Sequence, residues 1–116
     1  MRLHKRHQGE RIDVWISPAP DAGAADLARE LGQRFHLIVV PKTGTRRADV
    51  AVLCDPPPFE VSRVRRILGG VPVLATTRSA PSSELGRELR RAGASVLVEP
   101  SAAELADAVE RLYAAR

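Results

Sequence analysis

The chain has 116 residues, 44% of them hydrophobic and 28% charged, with a formal net charge of +4. That length builds one domain, burying about two-thirds of the surface an unfolded chain exposes, and the composition excludes a disordered protein. No apolar run approaches the ~20 residues that cross a bilayer, and the basic start "MRLHKRHQGE" leads into no signal-peptide core, so a cytoplasmic location is expected.

Residues 1–10 read as a basic tail carrying Arg2, Lys5 and Arg6, and residues 11–116 as the folded domain. Residues 12–16, "IDVWI", make a first strand. A helix fits residues 21–31, where Ala24, Leu27, Ala28 and Leu31 form one stripe and Gly32 stops it. "HLIVV" (36–40) and "DVAVLC" (49–54) are further strands, apolar throughout, as in a parallel sheet covered on both faces. Only "PKTGTRRA" separates them, too short and irregular for a helix.

After Pro56-Pro57-Pro58, a stiff loop, a helix runs from about Glu60 to Leu68 with Val61, Val64, Ile67 and Leu68 inward. "VPVLAT" (71–76) is the fourth strand. "SSELGRELRRAGA" is a helix with Leu85, Leu89 and Ala92 on one side and Gly93 beyond its end. "SVLVE" (95–99) is the fifth strand. Ser101 and Glu104 then form a capping-box signature before a helix burying Leu105, Ala108, Val109 and Leu112. Alternating strands and helices define an α/β fold: a doubly wound, five-stranded, flavodoxin-like parallel sheet lacking the helix between strands 2 and 3.

This order resembles the receiver domain of two-component response regulators over roughly residues 10–114. "DVAVLCD" is similar to the family's third strand, which ends in the phosphorylated aspartate and would make that residue Asp55. "VPVLATTR" resembles the fourth strand, whose terminal hydroxyl would be Thr77, and "AGASVLVEP" resembles a fifth-strand motif that ends in Lys-Pro. The resemblance implies two acids after the first strand to hold Mg²⁺, but Ser17 and Pro18 stand there. It also implies a phosphate-pairing lysine, replaced by Glu99, and an aromatic switch residue, replaced by Val96. Asp13 begins its strand and belongs at the opposite edge, and Asp21 reaches the site only through an unusual loop. Ser17, Pro18, Asp55, Thr77 and Glu99 therefore read as a degenerate phosphorylation site, with Arg78 placed to pair with either Asp55 or Glu99.

No catalytic residue, metal site or cofactor is expected. His4, His7 and His36 lack metal-ligand spacing, and Cys54, the lone cysteine, sits beside Asp55, which disfavours its thiolate. The arginines near acids in "SSELGRELRR" read as a solvated helix face, and the basic tail carries no aromatic residues for stacking bases. The expected function is a bacterial, phosphorylation-independent regulatory domain of an atypical response regulator, acting in transcription regulation through a homodimer or another regulatory protein. The resemblance implies pairing through the last two helices and the last strand. That face would carry Arg87, Arg90, Arg91, Asp107, Glu110 and Arg111, with DNA met only through a separate output domain. The alternative is a small-molecule sensor at the carboxyl edge of the sheet, lined by Ser17, Asp55, Thr77 and Glu99, with Lys42 or Arg46 reaching over.

Overall fold

The computed structural model describes residues 12–17, 29–39, 48–78 and 80–115. Five strands form one sheet: β1 (Asp13–Ser17), β2 (His36–Val39), β3 (Val50–Cys54), β4 (Val73–Thr77) and β5 (Ala94–Val98). All neighbouring pairs are parallel, in the order β2-β1-β3-β4-β5. This is the flavodoxin-like order, with its direction of winding reversed between β1 and β3. Among the described residues three helices follow the strands: α1 (Pro58–Ile67), α2 (Ser83–Arg91) and α3 (Ala102–Ala114). A helical turn at 29–31 precedes β2. The tail, Pro18, Asp21, Lys42, Arg46 and nearly all of the β2–β3 connection fall outside the described residues, and with them the expectations placed there.

Alternation along each strand divides the apolar residues between two layers. On one face Val14, Ile16, Val50, Val52 and Leu74 meet Leu31, Phe35 and the Leu105, Ala106, Ala108 and Val109 stripe of α3. On the other Trp15, Ala51, Leu53, Val73 and Ala75 meet Val61, Val64 and Leu68 of α1 and its turn, and Leu89 of α2. Each fully buried Val or Leu contributes roughly 1.5–3 kcal/mol relative to an exposed one, so the helices are held by these stripes more than by their own propensity.

Local chemistry sets the helix limits. Pro58 is the first residue of α1, two residues earlier than the apolar stripe suggests, because a proline there sacrifices no helical hydrogen bond and already has the right φ. Ile67 corrects the inward reading: it is 42% exposed, since it lies about a quarter-turn off the Val61–Val64–Leu68 stripe. Ser82 caps α2 by accepting the Leu85 N–H at 3.0 Å. Ser101 and Glu104 close the expected capping box at the start of α3, with the Ser101 N–H donating to Glu104 Oε1 at 2.8 Å. Cys54 is only half-buried, at the end of β3 rather than within its covered run.

Candidate functional site

In a parallel sheet every strand ends at the same edge, and the reversal between β1 and β3 opens a crevice there. Ser17 closes β1, Asp55 follows β3, Thr77 closes β4 and Glu99 follows β5. Registers of Ser17 with Leu53, Cys54 with Thr76 and Thr77 with Val98 bring these four ends to one level. The sheet thus gathers Ser17, Asp55, Thr77 and Glu99 at one edge as the resemblance implies, while Pro18 lies outside the described residues. Asp13 sits at the opposite, amino edge: its Oδ1 is 2.8 Å from His36 Nδ1, and its N–H donates to Asp49 Oδ2.

β4 anchors the turns on both sides. The Asp55 N–H donates to Thr76 O and the Glu99 N–H to Thr77 O, each at 2.7 Å. Immediately beyond these bonds the chain leaves the sheet in the left-handed region, with φ of 52° at Asp55 and 44° at Glu99. Asp tolerates that conformation through local hydrogen bonding; Glu has no such compensation.

Arg78, the residue after β4, holds the Asp55 carboxylate with two donors. Its N–H donates to Oδ1 at 3.1 Å and its Nε to Oδ2 at 3.2 Å. Between the two acids available to it, Arg78 takes Asp55. Glu99 is exposed and makes no hydrogen bond or ion pair through its side chain among the described residues. The Thr77 hydroxyl is buried with no partner among them.

Among the described residues, the oxygen donors gathered here are few for a divalent cation. Such an ion takes several oxygen ligands, carboxylates among them. Here the first strand offers the Ser17 hydroxyl, and both oxygens of Asp55 already accept from Arg78. Among the described residues, the positive charge beside Asp55 is Arg78, and Glu99, just past β5, brings a second carboxylate to the same edge. No group of three or more His, Cys, Asp and Glu able to hold a metal occurs among the described residues.

The six residues expected on a dimer face are all exposed. One is engaged within the molecule: Arg34 donates to Glu110 Oε2 at 2.7 Å, on the flank of α3 turned toward the segment before β2. At the amino edge lies a recess of about 360 Å³ lined by Arg65, Gly70, Val71, Pro72, Gly93 and Leu112, among others, which sequence reasoning missed. The available signal was the placement of glycines just before β4 and β5. No helix among the described residues is long and apolar enough to cross a membrane.

Order of strands, layers and the position of the aspartate at the end of β3 together define the receiver fold of response regulators. No family model and no curated protein matches the chain, so the similarity is one of structure. The receiver domain of Francisella response regulator 1452 superposes with a TM-score of 0.72 at 19% identity, covering 90% of this chain and 98% of that one. An orphan response regulator of H. pylori gives 0.70 at 18% identity, covering 88% and 96%. A protein of Burkholderia pseudomallei described as related to pilus assembly gives 0.68 at 22% identity, covering 95% of each chain.

Proposed function

We propose that this chain is a signalling domain of the pseudo-receiver type, which regulates by binding a protein partner or a second copy of itself and not by phosphorylation of Asp55. The observation that carries the reading is the Arg78 clasp on both oxygens of that carboxylate. Phosphoryl transfer rests on a free, positioned nucleophile and on cations beyond it that neutralise the transferred group. In this site the cation is on the nucleophile, and Ser17 and Glu99 stand where an acid and a base would be needed. Similarity of fold to an orphan response regulator is in keeping with a signalling role. Asp55 then serves the fold: it turns the chain off β3 and fastens the end of β4.

An amide NMR titration with Mg²⁺ and then beryllofluoride, a phosphoryl mimic, tests the reading. The expected result is no shift at Asp55, Thr77 or Arg78 at millimolar concentrations of both. Saturable shifts centred on those residues would overturn it, because they require Arg78 to release the carboxylate to a metal and an acyl-phosphate analogue.

A further inference from the structure

The helix ends at the amino edge carry an excess of positive charge that the fold itself does not neutralise. Arg65 and Arg66 lie in the last turn of α1, and Arg90 and Arg91 in the last turn of α2, with Arg87 one turn before. A hydrogen bond between the helices unites them: Arg65 Nη1 donates to Ala92 O at 3.3 Å, just past the end of α2. The Arg65 guanidinium lies where a Cβ on Gly93 would stand, so a glycine is needed for this approach.

Capping of helix dipoles accounts for only part of the charge. Two helix C-termini supply about half a negative charge each, and Glu88 supplies one more. Five arginines less these leave about three positive charges. Glu60 is no help, since it accepts both hydrogen bonds from Arg63. Arg66, Arg87, Arg90 and Arg91 form no ion pair among the described residues, and no carboxylate among them lines the adjacent recess.

We propose that the arginine-bearing ends of α1 and α2 form a binding surface for the phosphate backbone of nucleic acid, independent of any separate output domain. Every cation in the patch is an arginine, whose planar fork matches phosphate oxygens in pairs. No aromatic side chain lies in the patch; Phe59, 71% exposed, is at the far end of α1. Nothing there stacks on bases or reads their edges. Binding is therefore indifferent to sequence and sensitive to salt.

Fluorescence anisotropy with the full chain and two labelled duplexes of unrelated sequence tests the proposal. Both duplexes are expected to bind with the same affinity, falling about 100-fold between 50 and 200 mM salt if roughly four phosphates are neutralised. Arg66→Glu with Arg91→Glu should weaken binding at least about tenfold. It should also lower the salt slope by about 1.8, at about 0.9 for each phosphate that is no longer neutralised. Arg66→Glu alone, which leaves the proposed dimer face intact, should give about half that change in slope. A second variant, Lys5→Glu with Arg6→Glu, separates the tail from the patch. The proposal is overturned if the patch variant binds like the wild type while the tail variant does not. It is overturned equally if polyglutamate of matching charge binds and neither duplex does, which would make an acidic protein the partner.

Discussion

Asp55 and Glu99 share an uncommon backbone, and only one of them has chemistry suited to it. Both turn left immediately after donating to a carbonyl of β4. For Asp55 the turn is supported by a carboxylate that accepts from the N–H and the Nε of Arg78. The ion pair is worth little by itself, since the Arg78 side chain is 74% exposed and surface pairs of this kind contribute about 0.2–1 kcal/mol. A left-handed residue lacking Asp or Asn chemistry adds about 1–2 kcal/mol. Asp55→Ala should therefore cost about 1.5–2.5 kcal/mol in urea unfolding. Asp55→Asn should cost less than half as much, because Asn keeps both the tolerated φ and an acceptor for the Arg78 N–H. Equal effects in the two variants would show that the negative charge, and not the turn, is what the fold uses.

At the scale of elements, the ends of the helices decide more than their middles. α1 begins on a proline and has no side-chain cap, whereas α2 and α3 are capped by serines. The end of α2 depends on Gly93, whose φ of 110° a β-carbon disfavours and whose open face receives Arg65. Gly93→Ala meets both obstacles. It should destabilise the domain by about 2 kcal/mol or more and should also release the Arg65–Ala92 hydrogen bond. Thermal unfolding of the Gly93→Ala and Arg65→Ala variants and their double separates the two effects. If backbone strain acts alone, the two destabilisations simply add; a shared interaction makes the double less than additive. β5 shows the converse at a sheet edge. With no strand beyond it, Val98 is 46% exposed despite its apolar character.

At the scale of the molecule, charge is divided between the helical layers. Residues 58–93 hold Arg63, Arg65, Arg66, Arg78, Arg87, Arg90 and Arg91 against Glu60, Glu84 and Glu88, whereas α3 holds Glu104, Asp107 and Glu110 against Arg111. The proposed two-fold pairing through α2, β5 and α3 would set the basic layer of one copy beside the acidic helix of the other. Sedimentation equilibrium should then find a dimer that Arg87→Glu weakens by about tenfold, some 1.4 kcal/mol. Adding Asp107→Arg should restore it. A monomer at every concentration would end the dimer reading and leave another protein as the partner.

Much of this was legible along the chain, because strands covered on both faces and helices with one apolar stripe write their burial into local order. The order of elements, the capping box on Ser101 and the arrival of Ser17, Asp55, Thr77 and Glu99 at one edge all follow from that periodicity and from the parallel sheet. Ile67 did not, since a three- or four-residue spacing does not distinguish the centre of a stripe from its margin. Nor did the choice of Arg78 for Asp55 over Glu99, or the engagement of Glu110 by Arg34. These depend on where separate loops and helices stop relative to one another. The convergence of Arg65 on the end of α2 is of the same kind: residues 65 and 92 are remote in sequence, and each segment alone reads as an ordinary solvated helix face. Local pattern determines which surfaces are buried, because burial repeats with the period of the element. Which exposed charges meet is decided only when the sheet brings helix ends together, since single charges carry no period and their partners lie elsewhere in the chain.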